Sequence, residues 1–261
     1  METTAKFKEL LGGKKYFELC LKEAKEKRET NEKVYFLIEI TCEEALHYID
    51  DSMKMIEAAH GSETVEIIDE LYVQKMPLTE VAEKHSYTRN GIQKRVARAL
   101  DNLPEFEEHR TADLHERLFA SSFATGGTAN AFRTELRLYT TYIELLRSID
   151  DRIAELYTYF EPSSPRIDEV RATCCKKTLE QRYIEYLVME KSELEIKKKN
   201  LIEQIGQIES ALFRIPSTIR ILVIKYYMLN EKYDSIAKEV RLQPRVVQRK
   251  ILEYASDVQI S

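Results

Sequence analysis

Leu78-Thr79-Glu80-Val81-Ala82-Glu83-Lys84-His85-Ser86-Tyr87-Thr88-Arg89-Asn90-Gly91-Ile92-Gln93-Lys94-Arg95-Val96 decides the reading of this chain, because its pattern returns without a gap 155 residues later. The second copy runs Tyr233-Asp234-Ser235-Ile236-Ala237-Lys238-Glu239-Val240-Arg241-Leu242-Gln243-Pro244-Arg245-Val246-Val247-Gln248-Arg249-Lys250-Ile251. Each reads as a helix, a turn and a second, basic helix, over about 78–100 and 233–255. Such a unit needs a small residue where its helices cross and apolar residues to lock them. Ala82 and Ala237 supply the first. Val81, Ile92 and Val96, matched by Ile236, Val247 and Ile251, supply the second. Thr88 is placed to cap one second helix, and Pro244 to open the other. Shared spacing, with Ala82/Ala237 and Gln93/Gln248 aligned, favours true repetition over chance agreement between two amphipathic stretches.

On a helical wheel anchored at Ile92, Asn90, Lys94 and Ala97 point away from the core. Gln93 and Arg98 lie on the shoulders of that face, with Arg89 and Arg95 nearer its edges. In the second copy Arg245, Arg249 and Leu252 point outward beside Gln248, and Arg241 and Lys250 complete the cationic set. Asn, Gln and Arg have forked donor and acceptor groups that match base edges in the major groove, and marginal Lys and Arg suit phosphates. The rival account of each stretch is a solvated basic face on an ordinary packed helix.

The full chain of 261 residues carries a net charge of −5, yet residues 79–100 carry +3 and residues 234–255 carry +2, leaving −10 on the rest. Two positive patches on an acidic body can neutralise phosphates while discouraging indiscriminate binding. Seven Gly and six Pro are too few for the many turns of a sandwich or barrel, so the expected class is all-α. The expectation is tandem units, each a long helical hairpin followed by a helix-turn-helix.

Upstream of the first copy, apolar residues recur at helical spacing from Phe7 to Glu29, interrupted at Gly12-Gly13. A second helix follows from a cap at Asn31 and stops at Gly61. A short helix from Glu63 to Val73 comes next. The pattern weakens from Asp101 to Phe132, with a short amphipathic piece at Ala112 to Phe123 and a joint at Ala124 to Asn130. The expected domains are therefore 1–110 and 132–261, with 111–131 as linker. After the joint, Leu138, Tyr142, Leu145, Ile149, Ile153, Leu156 and Phe160 form a near-heptad stripe. A polar connection, Ser163 to Thr178, leads to Leu187, Leu194, Leu201, Ile205, Ile208 and Leu212. The two stripes either zip into an intrachain hairpin or pair with a second copy as a homodimer. At the offset of 155, Leu46, Met53 and Ile56 fall on Leu201, Ile208 and Ala211, but Ile49 falls on polar Gln204.

Leu78 through Leu103, especially Arg98-Ala99-Leu100 before Leu103, resembles region 4 of bacterial sigma factors, the part that reads the −35 promoter element. The stretch from Leu136 onward looks like phage and prophage regulators of the autolysin-regulatory type, which carry a helical hairpin before a terminal helix-turn-helix. The resemblance implies a sequence-specific duplex DNA-binding transcriptional regulator of phage or mobile-element type that also touches RNA polymerase. The family has Gly in the turn where this chain has Ser86 and Arg241, so a strained or altered turn is expected. Nothing resembles the sigma region that melts the −10 element, and an autonomous sigma factor is not implied.

The alternative function is a protein-interaction module or inhibitor that acts on RNA polymerase or another nucleic-acid enzyme through the same fold. No catalytic constellation, cofactor motif or metal-ligand spacing stands out, and no enzyme is expected. Gly12-Gly13 lacks the spacing of a phosphate-binding loop. The five His form no i, i+4 pair. His85 reads as a partly buried packing residue. Cys20, Cys42, Cys174 and Cys175 read as reduced thiols. With no leader and no apolar run of about 20 residues, the expected location is cytoplasmic, away from membranes.

Overall fold

A computed structural model describes residues 2–29, 31–101, 103–104, 129–160 and 179–257. Among the described residues there are eleven α-helices and no strand. They are α1 (Glu2–Gly12), α2 (Lys14–Lys27), α3 (Glu32–His60), α4 (Ser62–Tyr72), α5 (Leu78–Lys84), α6 (Arg89–Leu100), α7 (Ala129–Phe160), α8 (Leu179–Phe213), α9 (Ser217–Val223), α10 (Tyr233–Val240) and α11 (Pro244–Asp257). α9 runs into a π-helical turn, Ile224–Met228. No helix among these residues is long and apolar enough to cross a membrane. The short piece at 112–123, the connection at 163–178, Cys174 and Cys175 lie outside the described residues, as does most of the expected linker, whose residues 129–131 belong to α7.

The break at Gly12-Gly13 separates α1 from α2. Gly13 keeps an ordinary φ of −93°, so freedom of backbone is not the reason for glycine there. A Cβ would stand 3.2 Å from the Phe17 ring and 3.3 Å from the Leu10 carbonyl oxygen, so close packing is. α3 stops at Gly61, whose φ of 82° suits glycine. Asn31 precedes α3, but its side chain makes no capping hydrogen bond, contrary to the sequence expectation.

Two antiparallel hairpins result. In the first, α2 lies along α3, with Lys14 3.0 Å from Asp50 and Lys25 3.2 Å from Glu43. It is unequal, since α2 has 14 residues and α3 has 29. In the second, α7 and α8 have 32 and 35 residues, roughly 50 Å at 1.5 Å per residue. Lys198 meets Asp150 at 2.6 Å, Arg152 meets Glu190 at 2.9 Å, and the Tyr139 hydroxyl donates to Glu209 at 2.5 Å. The α7 stripe differs from the one read in the sequence. Leu138 and Leu145 are exposed, while Leu136, Tyr139 and Ile143 are buried before Ile149, Ile153 and Leu156. Both series have helical spacing, so periodicity alone does not choose between them. The Tyr139–Glu209 bond and the shared core orient the helix.

The duplication is visible in the backbone. At the offset of 155, left-handed residues recur as Lys75 (φ 59°) with Asn230 (φ 54°) and Ser86 (φ 58°) with Arg241 (φ 55°). Turn hydrogen bonds recur with them. The Met76 amide donates to the Glu70 carbonyl and Glu231 to Lys225, at 2.9 and 3.0 Å; Tyr87 donates to Ala82 and Leu242 to Ala237, at 2.9 and 3.0 Å. Upstream the repeat continues with the offset raised by one. Ala45, Ile49, Ser52 and Ile56 of α3 are buried where α8 buries Leu201, Ile205, Ile208 and Leu212. One residue fewer at the connection before α9 than at the one before α4 explains why the match frays at an offset of 155.

A continuous core joins residues from Phe7 to Ile251. Two fully buried cations cross from one half of the chain to the other. Arg220 donates to the carbonyls of Leu212, Phe213 and Ile215 at 3.0, 2.9 and 3.2 Å and to the Thr41 hydroxyl at 3.3 Å, and lies 3.7 Å from Glu44. It thereby satisfies the orphan carbonyls at the end of α8. Lys225 donates to Glu23 of α2 at 2.7 Å and to Glu239 of α10 at 2.6 Å. Burial alone pushes this ammonium down, but the facing Cys20, Glu23 and Glu239 hold it above its usual value. Replacing Lys225 with Met leaves its carboxylates without their cation, and urea unfolding should show a loss of about 3 kcal/mol. An unchanged unfolding midpoint would mean that the cation does not hold the halves together.

Candidate nucleic-acid interface

In each unit a first helix carries the other two. α5 and α6 pack on α4, and α10 and α11 pack on α9 with its π turn. Val81, Ile92 and Val96 are buried as the lock of one unit; Ile236, Val247 and Ile251 lock the other. Ala82 and Ala237 are buried at the crossings. Thr88 caps α6 by accepting a hydrogen bond from the Gly91 amide at 3.1 Å. A Cβ at position 91 would come 3.1 Å from that hydroxyl oxygen, so glycine keeps the cap unstrained despite its low helix propensity.

Ser86 and Arg241 end α5 and α10 in the left-handed region, the strain expected of non-glycine residues there. α11 begins at Pro244. These two turns aim the outward faces. On α6, Arg89, Asn90, Gln93, Lys94 and Arg98 are exposed; in the second unit Arg241, Arg245, Gln248 and Arg249 are exposed. No partner side chain holds Asn90, Gln93, Lys94, Arg98, Arg245, Gln248 or Arg249 among the described residues. The structure thus brings together, in each unit, a bare glutamine followed by a bare cation.

Arg95 and Lys250 are placed differently from the rest of the expected set. Both are half-buried, and they occupy equivalent positions. Arg95 lies 2.8 Å from Glu63, donates to the Thr64 hydroxyl at 2.9 Å and stacks 5.2 Å from the centre of the Tyr87 ring. It fastens α6 to α4. Lys250 faces a cleft behind α11. From the other side, Arg133 of α7 donates to the Leu252 carbonyl at 3.2 Å, so α11 rests on the second hairpin.

Sequence reasoning missed the ion pairs, each with one buried member, that fix each first short helix. In the first unit Glu70, 4% exposed, accepts hydrogen bonds from Lys84 and, at 3.0 Å, pairs with His85 Nε2. His85 is therefore a polar partner as well as a packing residue. In the second unit the equivalent pair is Lys225 with Glu239: same places, opposite polarity. A stack of Tyr226 on Tyr233, with ring centres 4.2 Å apart, completes the second unit. Cys20 and Cys42 are buried free thiols. Burial pushes Cys20 up to about 11 and Cys42 higher, so neither is a nucleophile at neutral pH. No metal-holding group of His, Cys, Asp or Glu occurs among the described residues.

Comparison of the chain with protein-family models, with curated proteins and with solved structures finds no match.

Two carboxylates, Glu70 beside Lys84 and Glu23 beside Lys225, give a sign to the pH dependence. Burial pushes Glu70 up, but hydrogen bonds from Lys84 and His85 outweigh it and hold the carboxyl below its ordinary value. Burial likewise opposes the bonds from Lys225 and Lys27 at Glu23, with the same outcome. A depressed carboxyl contributes stability above its unfolded value of 4.5 and loses it as pH falls through the folded value. Thermal melts should therefore show a stability gap between the parent and Glu70→Gln that narrows as pH falls below 4.5. A gap independent of pH would contradict the ionised pair.

Proposed function

We propose that the protein is a sequence-specific duplex DNA-binding transcriptional regulator, with α6 and α11 as two reading helices. The observation that carries this is the recurrence of an exposed glutamine–cation pair, Gln93-Lys94 and Gln248-Arg249, at one place in two repeated units. The glutamine amide suits the N6 and N7 edge of adenine, and Asn90 and Arg245 stand beside it for further base contacts. Arg89, Arg98 and Arg241 lie where phosphates would pass. Arg95, drawn from the outward face, fastens α6 to α4 instead, and Lys250 faces the cleft behind α11. The likeness of Leu78 through Leu103 to sigma region 4 supports the same reading and suggests RNA polymerase as a further partner, with promoters of a phage or mobile element as targets.

A second reading, a protein-interaction module acting on RNA polymerase or another nucleic-acid enzyme, is favoured by one surface. Tyr157, Tyr183, Tyr186 and Met189 are exposed at the part of the second hairpin away from the shared core. A homodimer through this hairpin would use the same side chains.

Charge reversal separates these readings. Lys94→Glu and Arg249→Glu, alone and together, should leave helicity by circular dichroism unchanged. Each should reduce duplex affinity by about tenfold or more. Each should also lower the slope of log affinity against log salt by about 0.9 for every phosphate that is no longer neutralised. Full retention of duplex affinity by the double variant, together with a stoichiometric complex with purified RNA polymerase, would overturn the first reading in favour of the second.

A further inference from the structure

A cleft of about 670 Å³ lies between the two halves of the chain. Its walls come from the α1–α2 corner and the end of α4 on one side. On the other side they come from α9 and from the turn that leads from α10 into α11. Its lining includes Leu19, Val73, Ile219, Leu222, Val240 and Leu242. Leu19 and Leu242, contributed by opposite halves, are 51% and 42% exposed, so apolar surface is left open at the mouth. The size and the mostly apolar lining are those of a small-molecule site rather than a track for a sugar-phosphate backbone.

The charges on this cleft are lopsided. Lys15, Lys75, Arg241 and Lys250 line it, and no ion pair holds any of them among the described residues. Of its two carboxylates, Glu239 is paired with Lys225, and Glu9 accepts a hydrogen bond at 3.1 Å from Thr218, which also lines the cleft, so four cations face one unpaired carboxylate. Two of the four cations also sit where a large side chain is costly. Lys75 and Arg241 hold left-handed φ values of 59° and 55°, a conformation cheaper for glycine or asparagine. At the position equivalent to Lys75 the second unit has Asn230. The first unit has kept a strained lysine that faces the cleft.

We infer that this cleft binds a small organic anion with an apolar body, a carboxylate on a hydrocarbon or aromatic frame, between Lys15, Lys75, Arg241 and Lys250. The apolar part lies against Leu19, Ile219 and Leu222, and the acid group meets the cations at the mouth. An occupant touches both halves of the chain and the turn that aims α11. Arg241 is shared with the face proposed for duplex DNA, whereas Lys15, Lys75 and the apolar wall belong to the cleft alone, so the site does not rest on duplex recognition.

Titration of the full chain tests this with 8-anilinonaphthalene-1-sulfonate as a fluorescent probe, and with decanoate, decanol and inorganic phosphate as competitors. The probe should saturate at one per chain and be displaced by decanoate, which carries both features. Decanol lacks the charge and phosphate the apolar body, so neither should displace it at the same concentration. Lys75→Asn should weaken the probe by about fivefold while melting at or above the temperature of the parent, since asparagine fits the left-handed position. Leu19→Trp, a change at an exposed side chain, should fill the cleft and block the probe without unfolding the chain. Equal displacement by decanol and decanoate, more than one class of probe site, or undiminished binding by Lys75→Asn would each overturn the proposal.

Discussion

The ammonium of Lys225 lies in the interior with a carboxylate of α2 on one side and a carboxylate of α10 on the other. It is the point where the second helix-turn-helix is tied both to its own short helix and to the opposite half of the chain. A buried cation of this kind adds little net stability compared with a well-packed apolar residue, but it is costly to disturb once in place. It therefore acts as a constraint on arrangement. Arg220, one helical turn and a half earlier, does the same between α8 and α3. Between them these two side chains set where α9 lies, and α9 carries α10 and α11.

The first unit uses the same two positions with the charges exchanged, Glu70 inside and Lys84 reaching in. The exchange has a physical consequence for a chain that contains two nearly identical units. If α5 docked on the second unit, Lys84 would meet Lys225; if α10 docked on the first, Glu239 would meet Glu70. Like charges brought together are disfavoured, most strongly around the buried Lys225 and less where Lys84 is open to solvent. The inverted pairs thus discriminate between correct and exchanged packing of helices whose apolar faces are otherwise alike. The extra carboxylate of Glu23 beside Lys225 strengthens that discrimination, because it fixes the polarity of the second unit.

The periodic features of the fold were legible in the sequence. Ala82, Ile92 and Val96, with their partners 155 residues on, have one reading, and Thr88, Gly61 and Pro244 mark helix ends as their chemistry requires. The register of α7 was not legible, because Leu136-Tyr139-Ile143 and Leu138-Tyr142-Leu145 are equally helical series. Only the bond from Tyr139 to Glu209 and the core beside it select one. The exposed members of the candidate interface were readable from a helical wheel, whereas the inward turn of Arg95 depends on Glu63 and Thr64, residues of another helix. These ion pairs could have been found. Glu70 and Lys225 are aligned, as are Lys84 and Glu239, and two opposite reversals of charge at one offset are the mark of a pair that has exchanged polarity.

If the two outward faces, alike in their glutamine and its neighbouring cation, both read DNA as proposed, the target has two like parts. Selection of bound duplexes from a random pool, using the full chain at fixed salt, tests it most directly. The expected result is enrichment of two like half-sites at a fixed spacing, each with an A·T pair at a shared position. A pool no different from its starting composition, or one enriched only in a single half-site, would contradict it.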